Sequence, residues 1–334
     1  MPETIRLAIL SDIHYAGAAE RARGNGYELR VVPNPLLRAC VYLYRRFFWM
    51  HRPLQQNHLL DQFLQETGAS DFAIANGDFS CDTGFIGVSD EAVFQSVREC
   101  LGKLREKFGE RLFLTYGDHE LGKCSIFGRH GGMRLASWYR AQKELGLQPF
   151  WRCTIGNYVL MGIASSLVAL PVFEADTLPE ERADWLQLRR EHLGRICVEF
   201  AELRSDQRVL LFCHDPTALP FLWRERGIRP KLAQLEQTII GHLHSNLILW
   251  KSRCLAGIPR IQFLGHTAKR LSAALQEATY WRPFHLRLCP ALAGIELLKD
   301  GGYLTADLAP DAKYPVHFEK HSLKRKGYRP TTAG

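Results

Sequence analysis

Short apolar runs alternate along the chain with segments whose apolar positions repeat at helical spacing. Runs bounded by turn residues predict strands at Ile5–Leu10, Phe72–Ala75, Arg111–Thr115, Trp151–Ile155, Val159–Ala164, Val209–Cys213, Thr238–Ile240, Leu247–Trp250, Ile261–Leu264, Gly294–Leu298 and Tyr303–Leu308. Helical spacing predicts helices at Leu36–Arg52, Gln55–Glu66, Asp90–Phe108, Arg134–Leu145, Pro179–Leu203 and Lys231–Leu235. Alternation of the two to about residue 150 points to an α/β layered domain. The later strands lack long helices between them, which predicts a second sheet with antiparallel pairing. With no repeat or low-complexity linker, residues 1–312 read as one domain with insertions. The basic, Pro- and Gly-punctuated stretch 313–334 is expected to lie on the surface or fray.

Composition narrows the class. Of 334 residues, 46% are hydrophobic and 23% charged, which excludes a mostly disordered chain and a polytopic membrane protein. Forty-three basic against thirty-five acidic residues give a net charge of +8, so an anionic partner is expected: nucleic acid, anionic lipid or a phosphorylated substrate. The nine cysteines are odd in number and form no Cys-x-x-Cys pair, which argues against a disulfide framework and for a reducing compartment. The first residues lack the basic start and long apolar stretch of a secretory signal, so a cytoplasmic setting is expected. The uncharged stretch Tyr158–Phe173 is too short to span a bilayer and reads as a buried strand and loop.

Five predicted strands end in residues able to bind metal. They lead into Asp12-Ile13-His14, Asn76-Gly77-Asp78, Gly117-Asp118-His119-Glu120, Cys213-His214-Asp215 and Gly241-His242-Leu243-His244. In layered α/β folds ligands bind beyond the carboxyl ends of strands, so these ends are expected to meet in one crevice. In Asp12-x-His14 and His242-x-His244, alternate residues of an extended segment face the same side. Gly77, Gly117 and Gly241 suit turns where backbone approaches the site. Mixed carboxylate and imidazole donors suit Mn²⁺, Fe or Zn²⁺ better than Ca²⁺.

The ordered set DIH, NGD, GDHE, CH and GHLH resembles the calcineurin-like metallophosphoesterases over about residues 5 to 270. The resemblance implies a four-layer α/β/β/α sandwich with a dinuclear metal site at the strand C-terminal ends. It implies that Asp12, His14 and His244 hold a first divalent ion, that Asp78 bridges, and that Asp118, His214 and His242 complete the second. Mn²⁺ is the first choice of ion. His119 is implied as the acid or electrostatic group beside the phosphate. The implied reaction is hydrolysis of a phosphoester or diphosphate by hydroxide generated at the site. The family usually carries Asn at the place of Asp118; the extra charge should tighten metal binding and oppose an anionic substrate.

Substrate residues are less defined. Asp82, Arg129, Arg134 and His266 are candidates, each with a capping, solvated or structural alternative. The insertion from Ala16 to about Arg52 contains PLLRACVYLYRRFFWMHRP. On a helix Arg38, Arg45 and Arg52 share one face beside Tyr42 and Trp49, with Phe47 and Phe48 on an apolar side. This suits either core packing or an interfacial lid on an anionic membrane that holds acyl chains, formed by Arg38, Arg45, Phe47, Phe48 and Trp49. The insertion beside a dinuclear site is similar to the UDP-2,3-diacylglucosamine diphosphatases of lipid A synthesis, in their longer chlamydia-like type. That similarity implies a nucleotide-linked lipid substrate, split to UMP and lipid X, and a peripheral place on the inner face of the cytoplasmic membrane. The alternatives are a phosphodiesterase or nuclease acting on nucleotides or nucleic acid, and a non-catalytic scaffold of the same fold.

Overall fold

The computed structural model describes residues 4–81, 83–124, 130–261 and 266–324, with 266 and 267 described by backbone alone. Ten strands form two five-stranded sheets. The first has the order β10 (His317–Ser322), β9 (Gly302–Leu308), β1 (Ile5–Leu10), β2 (Phe72–Asn76) and β3 (Leu112–Thr115). The second has the order β4 (Phe150–Ile155), β5 (Tyr158–Ile163), β6 (Arg208–Cys213), β7 (Leu235–Ile240) and β8 (Leu286–Leu288). In the first sheet β1, β2 and β3 run parallel, and β9 and β10 join antiparallel. In the second, β4 pairs antiparallel with β5 and the other pairs are parallel.

Side-chain alternation builds the layers. Leu7 and Ile9 of β1 and Ile74 of β2 pack against Leu160, Leu210, Phe212 and Ile239 of the second sheet. Ala8, Leu10, Ala73 and Ala75 face the other way, against Phe63, Val97, Leu101 and Leu104. Those partners belong to helices Asn57–Glu66 and Glu91–Phe108. On the far side, Val159, Met161, Val209 and Leu211 pack against Ile196 and Phe200 of helix Arg182–Ala201, and Leu222 of helix Leu219–Arg224. The result is the expected α/β/β/α sandwich. Both sheets are covered on both faces, which is why their parallel strands read as near-continuous apolar runs.

Several elements depart from the sequence pattern. The second sheet is mainly parallel, because helices supply the crossovers that parallel pairing needs. One is helix Asn246–Cys254, where Leu247–Trp250 was expected to be a strand. The Ser245 side chain accepts from Leu247 N–H and caps it, Leu249 is buried and Trp250 faces solvent. A further helix, His266–Glu277, follows; the expected strand Ile261–Leu264 falls almost wholly outside the described residues. Gly294–Leu298 is a turn rather than a strand. Gly294 has φ +61°, and Asp300 Oδ1 accepts from Ile295 N–H at 3.1 Å. The stretch expected to lie on the surface or fray lies on the surface as edge strand β10, whose exposed Glu319 and Lys320 suit a sheet edge. No helix among the described residues is long and apolar enough to cross a membrane.

The insertion helix runs over Pro35–Phe47, capped by the Asn34 side chain, and stops short of the expected Arg52. It presents a narrow buried seam, Val41 and Arg45. Arg45 is paired with buried Glu28, so it does not join an exposed basic stripe. Arg38 donates to the Val32 carbonyl at 2.8 Å. Beyond the helix, the Phe48 and Trp49 carbonyls accept from Leu297 and Glu296 N–H. The 294–298 turn therefore holds the end of the insertion in place.

One buried group makes the fold pH-sensitive. His192 on helix Arg182–Ala201 accepts from Ala164 N–H through Nε2 at 3.2 Å, and burial pulls its pKa down to about 3. As pH falls below about 6.5 the unfolded chain takes up a proton that the folded chain refuses, so stability falls until about pH 3. Urea unfolding at pH 6.5 and 5 should show wild type losing about 2 kcal/mol more than His192→Gln.

Candidate metal centre

The carboxyl ends of β1, β2 and β3 in one sheet and of β6 and β7 in the other deliver the five motifs to one place. Asp12, His14 and His244 bring one ligand atom each to within 4.8 Å of one another. Asp78, Asp118, His214 and His242 do the same, and His14, Asp78 and His119 form a third such group between them. His14 Nε2 lies 3.1 Å from His244 Nε2, which is 3.3 Å from Asp12 Oδ1. His214 Nε2 lies 3.2 Å from Asp78 Oδ2 and 3.5 Å from Asp118 Oδ1. His242 Nδ1 lies 3.0 Å from Asp118 Oδ1.

The far ring nitrogens fix which atoms face inward. His14 Nδ1 is 3.1 Å from the Ser80 carbonyl, and His214 Nδ1 is 2.6 Å from the Asn76 carbonyl. A carbonyl only accepts, so each Nδ1 carries the hydrogen and each Nε2 turns a lone pair inward when the ring is neutral. Imidazole lone pairs and carboxylate oxygens thus converge, which is a donor set for a divalent transition ion. His119 is held the same way, with Nδ1 3.0 Å from the Cys81 carbonyl and Nε2 3.8 Å from Asp78 Oδ2.

The pairs Asp12-x-His14 and His242-x-His244 are not extended, contrary to expectation. Asp12, His14, Asp78, His242 and His244 all have φ between 51° and 58°. Leu243 N–H donates to the Gly241 carbonyl and Ser245 N–H to that of Leu243, both at 2.6 Å, so each histidine is the middle of a three-residue turn. Left-handed backbone costs an L-residue about 1–2 kcal/mol. Strain at five of the candidate ligands is strain placed at the site.

The three glycines serve close approach. A Cβ on Gly117 would lie 2.1 Å from Asp78 Oδ1, and one on Gly241 would lie 2.0 Å from Ser11 Oγ. One on Gly77, which has φ +86°, would lie 2.7 Å from Gly117 N.

Glu120 was not assigned from sequence, although three residues after the N-cap Gly117 is the place from which a glutamate reaches back to the N-cap N–H. Its buried carboxylate accepts from the N–H groups of Asp78, Phe79, Ser80 and Gly117 at 2.8–3.4 Å. It clips the β2 and β3 loops together. Burial and nearby Asp78 push its pKa up to about 8. Trp49 was expected at an exposed lid; its ring instead lies 4.6 Å from that of His244.

Burial dominates the electrostatics. It raises Asp12 above the usual carboxylate range. It acts on Asp78 and Asp118 in the same direction, as does Asp118 on Asp78, but His119 and His214 outweigh this for Asp78, and His242 and His214 for Asp118, so both are held low. Burial lowers His242, yet Asp215 and Asp118 lift it to about 10. Protons on His214 and His242 balance the carboxylates, and divalent ions would take over that role on binding.

Among the other candidates, Arg134 donates to the carbonyls of Met133 and Gly131 and is tied to its own loop. Asp82 and Arg129 lie outside the described residues, and His266 begins a helix with its side chain undescribed.

No protein-family model matches the chain, and no curated protein does. Among solved structures it is similar to a dimetal phosphatase from Danio rerio, at 12% identity over 96% of both chains with a TM-score of 0.46. It is similar to purple acid phosphatase PPD1 of yellow lupin, at 11% identity over 96% of this chain and 52% of that one, TM-score 0.41. It is similar to a metallophosphoesterase from Sphaerobacter thermophilus, at 12% identity over 96% and 89%, TM-score 0.33. Likeness this distant carries no argument, and the reading of the site rests on its side chains.

Glu120→Gln should lower stability by about 3 kcal/mol in urea unfolding at pH 9, where the carboxylate is ionised, because it sets an amide NH₂ against backbone donors in a buried place. Gly117→Ala should reduce Mn²⁺ retained after loading from about two ions per chain to about one or fewer by elemental analysis, with the fold kept by circular dichroism.

Proposed function

We propose that the chain is a metal-dependent phosphoester or diphosphate hydrolase. The observation that carries this reading is the convergence of Asp12, His14 and His244 with Asp78, Asp118, His214 and His242 in two adjoining ligand groups. The first group would hold one divalent ion, the second another, with Asp78 between them; Mn²⁺ suits the donors first, then Fe or Zn²⁺. Bound there, such ions supply Lewis acidity and an acidified water at neutral pH.

The chain's own groups do the rest. His119 keeps its Nδ1 hydrogen on a carbonyl and turns Nε2 toward Asp78, so a proton held on Nε2 is placed for a leaving oxygen. Asp118 orients His242 and adds negative charge that tightens cation binding and resists an anionic substrate.

For the substrate we propose UDP-2,3-diacylglucosamine, cleaved to UMP and lipid X at a cytoplasmic membrane surface. Helix Pro35–Phe47 supports this reading. Leu36, Leu43, Tyr44 and Phe47 are 79%, 51%, 45% and 62% exposed, and exposed Arg38 and Arg46 lie beside them. Apolar and basic side chains together suit an anionic interface. Of the residues expected in the lid, Arg45 is spent on Glu28 and Trp49 on His244.

Mn²⁺-loaded protein should release UMP from UDP-2,3-diacylglucosamine, and chelation or Asp78→Asn should lower the rate at least about a hundredfold. Cleavage of a simple phosphodiester without UMP release would keep the hydrolase and discard the lipid. Replacing Leu36, Leu43 and Phe47 together by Ser should abolish sedimentation with phosphatidylglycerol vesicles; unchanged sedimentation would remove the membrane role of the helix.

A further inference from the structure

A cleft opens beside the Asp118 and His242 half of the site, and both residues line it. It contains about 950 Å³ of space, its open mouth included. Met133, Val172, Phe173, Leu243, Leu271 and Leu275 supply apolar wall. Lys123 and Arg270 also line it, and Arg270 is bound to Asp176 at 2.7 Å. Helix His266–Glu277 and the segment after β5 supply much of the wall, and the insertion at 35–47 supplies none of it.

Three polar groups also line this cleft: Ser166, Asp215 and Trp281, which are 2%, 1% and 5% exposed. Ser166 Oγ, Asp215 Oδ2 and Trp281 Nε1 are buried and have no hydrogen-bond partner. Leaving such atoms unmatched costs about 1–3 kcal/mol each. Their chemistry is complementary: a carboxylate oxygen accepts, an indole N–H donates, and a hydroxyl does either. Apolar walls with a few placed polar groups are the make-up of a small-molecule site.

We propose that this cleft receives the part of the substrate next to the phosphate, and that this part is an apolar body carrying both a hydrogen-bond donor and an acceptor, as an amide does. The inference rests on the hydrolase reading and names the substrate class at that same site. An N-acyl group and the imide edge of a heterocyclic base both offer this chemistry. Trp281 donates to the carbonyl, and Asp215 accepts from the N–H. Ser166 takes either role. Asp118 and His242 form the shared wall, so a phosphate held by the second ligand group leads straight into the cleft.

Isothermal titration of Mn²⁺-loaded protein tests this with four probes: methyl phosphate, octyl phosphate, N-octanoylglucosamine 1-phosphate and uridine 5′-monophosphate. At least one amide-bearing probe should bind about tenfold or more tighter than both methyl and octyl phosphate, and which one does so identifies the source of the amide. Trp281→Phe and Ser166→Ala should each weaken that probe about three- to tenfold and leave methyl phosphate unchanged. Amide probes that bind no tighter than methyl and octyl phosphate, with two ions retained, would overturn the cleft proposal alone and assign the three polar atoms to water. An amide probe that binds in a Trp281-dependent way to protein unable to retain Mn²⁺ would overturn the metal reading and leave the cleft standing.

Discussion

Buried charge is the constraint on which the rest of this molecule depends. Asp12 and Asp78 are 0% and 1% exposed, and the oxygens of both face imidazoles. Carboxylates in such a place need compensating positive charge or protonation. His14, His119, His214, His242 and His244 surround them, arriving from four different strand ends, and His214 and His242 are held protonated by the carboxylates. Bringing so many ring and carboxylate groups together demands backbone shapes that the residues themselves do not favour. Five of them sit at left-handed φ, and three glycines leave room where any Cβ would collide. Such strain persists only where the surroundings over-determine it.

The surroundings do so through the sheets. Parallel pairing places the carboxyl ends of β1, β2 and β3 along one edge, and those of β6 and β7 along the facing edge. The apolar layer between the sheets holds those edges in register. Glu120 then ties two loops by their backbone N–H groups, and the carbonyls of Asn76, Ser80 and Cys81 orient three histidine rings. None of these supports is itself a ligand. Each reduces the freedom of a candidate ligand or of His119, and a preorganised donor set binds a cation without first having to be ordered.

The insertion divides its labour between two sides. Inward, Val41, the Arg45–Glu28 pair and the backbone of Phe48 and Trp49 fasten it to the body, and Trp49 lies against His244. Outward, Leu36, Leu43, Tyr44 and Phe47 remain exposed. An arginine at helical spacing from its neighbours could belong to either side, and the buried partner Glu28 decides it. The apolar cleft lies elsewhere, on the side of helix His266–Glu277, so the insertion expected to form a lid is not what shapes the pocket beside the candidate ligands.

The sequence alone determined the strands that carry the five motifs, because apolar runs ending in Asp, His and Gly are local signals that burial on both faces of a sheet makes strong. It also determined the ligand candidates, since the residue types able to hold such ions are few and recur at strand ends. It did not determine the parallel pairing of the second sheet, the helical state of Leu247–Trp250, or the edge strand at 317–322. Those follow from packing between segments distant in the chain. Nor did it disclose the left-handed turns at Asp12, His14, His242 and His244, the clip made by Glu120, or the cleft that joins Ser166, Asp215 and Trp281. These depend on which atoms meet after folding, and only the tertiary structure brings residues as far apart as 14 and 244 to within 3.1 Å.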